Sequence, residues 1–439
     1  MRENLKHLWK KILYDQDRWE KGVTPISNHM IKRYQDTKKN TGSYVSIIIP
    51  TKNAGPEFQA VLETIRSQSG VKETEIIILD SGSSDNTVDI AKKYQCRIFP
   101  IDPRNFHHGI TRNFGAEQAT GDFVLFMVQD AMPIGNDWLC AIIETFRCYP
   151  EVVAVTSRQV PRCDADMFAS YIIWNHYHEM KFYSNRITRA DRHLFSELSF
   201  SDIRKLAGID DVCSCFKKEI FNRFKFGTLG FAEDLDLGIR LLEAGYSLAF
   251  LYSVGVTHSH NRDPEYFFQR SYVDSKTLME LSSASQVMRV LDLNEVLSSM
   301  DAMYAALHQF IVEINVGYPE TIRVNLFFRK LKKYLRSTKT IKCDLKPVTR
   351  LEQLLSHLMT NAKPVPVDNR QFKREFSDLL DSFSSYAETI GKTQSTKELS
   401  ECAYKLFGTY YGSHLGNLYP YFTKISAMQS IDNLLKWGI

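Results

Sequence analysis

Apolar residues follow two rhythms along this chain. Between 44 and 263, short and almost wholly apolar runs alternate with segments of helical spacing, whereas beyond 263 the runs stop and only helical spacing remains. VSIIIP at 45–50, EIIILD at 75–80, FVLFMV at 123–128 and VVAVTS at 152–157 leave little room for a solvated face, as expected of strands covered on both sides. Shorter runs follow at 96–100, 212–216, 247–252 and 254–257. Helices are predicted at 56–68, opened by Pro56, at 83–94 behind the capping set Ser83 to Asp85, at 108–119, at 137–148, and at 233–244, stopped by Gly245. This alternation predicts an α/β fold of βαβ units, with parallel strands whose carboxyl ends share one edge. Thr51-Lys52-Asn53, Asp80-Ser81-Gly82 and Gln129-Asp130 would collect there, where open α/β sheets hold ligands.

The flanking segments read differently. Residues 1–43 are polar and basic except for Leu5, Leu8, Trp9, Ile12 and Leu13, which recur at helical spacing. This predicts an N-terminal amphipathic segment and linker. The aromatic, charged excursion at 159–210 reads as a lid or partner-binding insertion. Residues 264–439 read as a separate helical domain, leaving 44–263 as the α/β domain. Within the helical part, the stretch 329–346, bounded by Arg329 and Lys346, carries eight Lys or Arg against Asp344 alone, with Phe327, Phe328, Leu331 and Leu335 among them. A solvated helix face or an anionic membrane surface would each suit it.

Composition narrows the class only a little. The 44% hydrophobic and 24% charged fractions are those of a globular protein, and a net charge of +4 says little about partners. No nucleic-acid partner is expected. Eight cysteines form no CxxC pair, no apolar leader is seen, and no run approaches the ~20 residues that span a bilayer. The expectation is a cytoplasmic protein with reduced thiols, peripheral at most to the inner face of the plasma membrane.

Three carboxylates and a histidine stand where chemistry could use them. Asp80 ends a strand and is followed by small residues, so it could accept hydrogen bonds from a base or ribose. Asp130 could hold a divalent cation bridging a diphosphate. Glu233-Asp234 opens a helix after a glycine-containing loop, a suitable place for a general base. His258, at a strand end, could add an imidazole to the same cation. Each also reads as a helix cap or a satisfied core group when taken alone.

In order and spacing, VSIIIPTKN, IIILDSGSSDNT, ITRNFGA with ATGDFVLF, the QD pair, FAEDLDLGIRLLEAGY and VTHSHN resemble the family-2 glycosyltransferases of GT-A fold, over residues 44–261. HGITRNFGA with VQDAMP is similar to the bacterial rhamnosyltransferase branch. The resemblance implies that Pro50, Thr51, Asn53, Asp80, Arg112, Gln129 and Asp130 bind the nucleotide-sugar and that Asp234 is the catalytic base of a single inverting displacement. It also implies that Asp130 and His258, with His260 as competitor, bind Mg2+ or Mn2+. The narrower branch implies L-rhamnose from dTDP-rhamnose as the donor sugar, and a glycan or lipid-linked glycan acceptor such as an O-antigen or capsule precursor. One departure stands out: the family's acid two places before Asp130 is Val128. That replacement keeps a non-catalytic scaffold of polysaccharide assembly as an alternative. A nucleotidyltransferase is disfavoured, because PTKNAGPE replaces its Gly-rich, Arg-bearing phosphate loop.

Overall fold

The apolar runs assemble into one ten-stranded sheet, ordered β1-β8-β10-β7-β9-β5-β2-β3-β4 with β6 paired to β10. The strands are β1 (Val23–Pro25), β2 (Tyr44–Thr51), β3 (Glu73–Asp80), β4 (Arg97–Pro100), β5 (Phe123–Met127), β6 (Met132–Pro133), β7 (Val152–Val160), β8 (Arg186–Arg189), β9 (Cys213–Lys217) and β10 (Ser247–Thr257). In this computed structural model, residues 19–26, 42–190, 192–282, 292–317, 320–337, 349–360, 363, 365–366 and 368–436 are described. Ile47, Ile48 and Ile49 are all 0% exposed, so consecutive side chains pointing to opposite faces are both covered, as the unbroken apolar run requires.

β2 pairs in parallel with β3 and β5, β3 with β4, and β7 with β10. β9 runs antiparallel between β5 and β7. That reversal makes the sheet mostly, not wholly, parallel and has a geometric consequence. β5 and β7 share one direction because both oppose β9, so β2, β3, β4, β5, β7 and β10 all end on one edge while β9 starts there. The two runs at 247–252 and 254–257 form a single strand with a bulge, pairing Leu251 with Ser157 and then Gly255 with Arg158.

The chain groups into two compact units, one of Met1–Cys163 with Ile173–Ser259 and one of Asp164–Ile172 with His260–Ile439. The N-terminal positions Leu5, Leu8, Trp9, Ile12 and Leu13 lie outside the described residues, but Val23–Pro25 adds an edge strand against β8. The excursion at 159–210 is framework as well as connection. It supplies β8, which pairs with β10, and Asp164–Ile172 groups with the helical unit.

In the helical unit, Pro264–Leu281 and Thr396–Phe422 approach backbone to backbone. Gly408, Gly412 and Gly416 form a stripe at four-residue spacing, and a Cβ on each would lie 2.7 Å from Pro264 O, 2.2 Å from Phe268 O and 2.3 Å from Tyr272 O. Phe168 and Tyr171 share the core of this unit with Phe268 and Phe383. Lys405, 2% exposed, pairs with Asp166 at 2.8 Å and Glu401 at 2.9 Å. Helix Val324–Ser337 corrects the reading of the basic stretch: Phe327, Phe328, Leu331 and Leu335 are buried in this core and offer nothing to a bilayer. Arg329, Lys333 and Arg336 stay exposed, while Lys332 pairs with Asp381; 338–346 lies outside the described residues. Met428, Ile431 and Leu435 of the C-terminal helix are likewise buried, and Trp437 is outside the description. Among the described residues no helix is long and apolar enough to cross a membrane.

Gly412→Ala should lower stability by about 1–3 kcal/mol, because overpacking at a backbone contact outweighs the better helix propensity of alanine. Thermal unfolding followed by circular dichroism checks it; a variant as stable as the parent would refute the close approach.

Candidate active site

The shared strand edge sorts its polar residues into three groups. The first follows β2 and β3, whose last residues Thr51 and Asp80 are partners in register. Asp80 is nearly buried and accepts from Thr51 Oγ1 at 3.1 Å, Ser83 Oγ at 2.5 Å, Gly82 N at 3.2 Å and Ser83 N at 3.0 Å. Those four donors match the acceptor capacity of a carboxylate, so Asp80 shapes the 80–84 turn. Asn53 adopts the left-handed region at φ 48°, which asparagine tolerates. Its Oδ1 accepts from Ser84 N at 2.8 Å, and its own N–H donates to Ser83 Oγ at 2.8 Å. Pro50, half-buried on β2, has no N–H to contribute.

Gln129 joins this group to the next. Its Oε1 accepts from Lys52 N at 2.8 Å and its Nε2 donates to Lys52 O at 3.3 Å, so both halves of the amide are spent holding two loops together. Beside it, Asp130 Oδ1 lies 3.7 Å from His258 Nε2. His258 follows the parallel ends of β7 and β10, its N–H donating to Val160 O at 2.9 Å. Asp130, His258 and His260 each bring one ligand atom within 4.8 Å of the other two. A carboxylate with imidazoles fits a divalent cation, and the nitrogen donors favour Mn2+ over the harder Mg2+. Val128, partly buried, packs against the hydrophobic core, so an acid at that position would lose part of its hydration.

The third group forms because β9 starts at this edge. Asp210 and Asp211 precede it and meet helix Glu233–Glu243. Ala232, just before the helix, holds φ 56°, a conformation that strains a non-glycine residue by about 1 kcal/mol. The loop ahead of it is stapled to helix His108–Gln118. Asn113 exchanges two hydrogen bonds with Phe226, each 3.0 Å, His107 Nε2 lies 3.2 Å from Thr228 O, and a Cβ at Gly109 would meet Gly227 O at 2.9 Å.

Arg112 lies beneath this staple, 4% exposed, pairing with Glu233 at 2.8 Å and Asp211 at 3.5 Å. Its guanidinium is thus paired in the interior through Nη1. Asp234 accepts from Asp211 N at 3.2 Å and Leu235 N at 2.7 Å. Burial, and then Asp211, Glu233 and Asp210, hold the Asp234 carboxyl well above the usual range. Burial pushes Asp211 up to about 7, with Arg112 opposing and Glu233 assisting. Several acids against one cation in a poorly hydrated site cannot all ionise at ordinary cost. Sequence reasoning missed Asp210, Asp211 and Gln159. The first two sit in an irregular segment ahead of a strand whose direction the sequence does not give, and a glutamine inside β7 carries no motif.

The chain matches the glycosyl transferase family 2 model over residues 46–224. It is 33% identical over 237 residues to the O-antigen chain rhamnosyltransferase RfbN of Salmonella typhimurium, spanning 52% of this chain and 70% of that protein. To the O-antigen chain rhamnosyltransferase WbaN of Salmonella anatum it is 32% identical over 236 residues, with the same shares of 52% and 70%. The solved mannosyltransferase PcManGT from Pyrobaculum calidifontis, in complex with GDP-Man and Mn2+, aligns at 14% identity and TM-score 0.41 over 82% of this chain and 91% of that one, too distantly to bear on the assignment. The chain belongs to glycosyltransferase family 2, and its mixed, mostly parallel sheet is of the GT-A type. Within that family it is close to rhamnosyltransferases.

Arg112→Gln leaves Glu233 and Asp211 without a buried counter-charge and should cost about 3–5 kcal/mol, measured by urea unfolding. Unchanged stability with weakened donor binding would instead make Arg112 a donor contact.

Proposed function

We propose that the protein transfers L-rhamnose from dTDP-rhamnose to a hydroxyl of a cell-surface glycan precursor, inverting the anomeric centre, with Asp234 as general base. The observation that carries this reading is the environment of Asp234: a carboxyl at the start of a helix, on the ligand edge of the sheet, held above the ordinary acid range by burial and then by the neighbouring carboxylates Asp211, Glu233 and Asp210. A base poised nearer neutrality takes the acceptor proton more effectively as the oxygen attacks. Arg112 and Glu233 set the helix start from which Asp234 projects. The donor sugar is suggested by the similarity to two O-antigen chain rhamnosyltransferases.

In this reading Pro50, Thr51, Asn53 and the turn organised by Asp80 receive the nucleoside, and Gln129 keeps the two receiving loops in register. Asp130 and His258, with His260, would hold Mn2+ or Mg2+. When bound, that cation would neutralise charge on the leaving diphosphate. The acceptor is a glycan or lipid-linked glycan reached at the inner face of the membrane, with Arg329, Lys333 and Arg336 as an electrostatic contact to anionic lipid.

Asp234→Asn should reduce transfer at least about a thousandfold with donor affinity nearly unchanged, as expected when a group needed only in the transition state is lost. Transfer assays paired with calorimetric donor binding check this, and retained turnover sinks the base assignment. The pH profile gives a second test. Transfer needs Asp234 deprotonated, so kcat/KM should rise with pH along a limb lying above the ordinary carboxylate range. Asp211→Asn removes one cause of the raised value and should move that limb to lower pH. A screen of nucleotide-sugars with Mn2+, following nucleoside diphosphate release, tests the donor: dTDP-rhamnose should give the fastest turnover. No release from any donor would favour the scaffold.

A further inference from the structure

Gln159, near the end of β7, lies between an acid and an imidazole. Its Nε2 donates to the Asp210 carboxylate, and its Oε1 is 2.8 Å from His258 Nδ1. A carboxylate can only accept, so the amide nitrogen must face Asp210 and the amide oxygen must face the ring. That oxygen can only accept as well, so Nδ1 of a neutral His258 carries the proton. The lone pair then falls on Nε2, the atom that lies 3.7 Å from Asp130 Oδ1. The surroundings hold this arrangement rigidly. Asp210 Oδ1 accepts from Val212 N at 3.0 Å, Gln159 N donates to Tyr177 Oη at 2.5 Å, and the His258 side chain is 12% exposed.

We infer that Gln159, braced by Asp210, is a positioning residue that fixes His258 in the Nδ1–H tautomer and so presents Nε2 to the divalent cation. The inference rests on the metal reading proposed above, but the tautomer is a property of the metal-free protein and can be read without it. An acid that never touches the cation orients a ligand through an intervening amide, as outer partners of metal-bound histidines commonly do. The same link ties the metal group to the acid cluster, since Asp210 adjoins Asp211, whose N–H donates to Asp234.

The test uses full-length protein labelled with 15N-histidine, above the titration range of histidine. Long-range proton–nitrogen spectra, with His258 assigned through His258→Gln, should show Nδ1–H in the parent. Q159L should show a mixed or Nε2–H ring. Mn2+ titration should give an affinity about ten- to a hundredfold weaker for Q159L, with its thermal unfolding close to the parent's. An unchanged His258 tautomer in Q159L, or Mn2+ affinity equal to the parent's, overturns the inference. If the parent itself binds no Mn2+, the metal reading fails, and the tautomer comparison still decides the role of Gln159.

Discussion

Around the Arg112 guanidinium the buried charges are unequal: one cation faces Glu233 and Asp211, and the Asp234 carboxyl feels the latter two together with Asp210. Taking several carboxylates out of water costs several kcal/mol each unless a counter-charge or a proton compensates. Arg112 supplies the counter-charge and the raised acids supply the proton. The tight fit of helix His108–Gln118 against the loop before Glu233 follows from that arrangement, because the guanidinium reaches Glu233 only if Gly109 lets the two backbones close. The strained Ala232 is affordable for the same reason.

What could be read from residues alone followed from apolar runs and strand ends. The β2, β3 and β5 runs have no solvated face, so their class and burial were legible, and Asp80 and Asp130 were legible as carboxylates at or just past strand ends. Asp234 was legible through the Glu-Asp pair opening a helix. The direction of β9 was not. Five residues of alternating apolar character are equally compatible with either direction, and the choice depends on where the preceding excursion returns to the sheet. Because β9 enters at the ligand edge, Asp210 and Asp211 arrive there without any local signal. Arg112 shows the opposite limit: its place in a motif was plain, and its burial against two acids was set by partners a hundred residues away.

The helical unit rests on a different kind of contact. Most helix pairs keep their axes apart by side chains, but the glycine stripe at 408, 412 and 416 removes the spacers and lets carbonyls of the partner helix approach directly. Dispersion then acts between backbones over several turns, and few side chains need to be ordered to gain it. Aromatic rings such as Phe268 and Tyr272 are released to fill the surrounding core.

The excursion that leaves β7 has a consequence for how the chain can be made and divided. Phe168 and Tyr171 belong to the helical core, yet they are synthesised about ninety residues before the rest of it. No single cut in the polypeptide separates the two units, since a break near 263 strands these aromatics on the wrong fragment. A helical fragment beginning at 264 would carry the hole they leave, and a sheet fragment ending there would expose them to water. During synthesis the sheet can close while its own insertion waits, unpaired, for partners still to be translated.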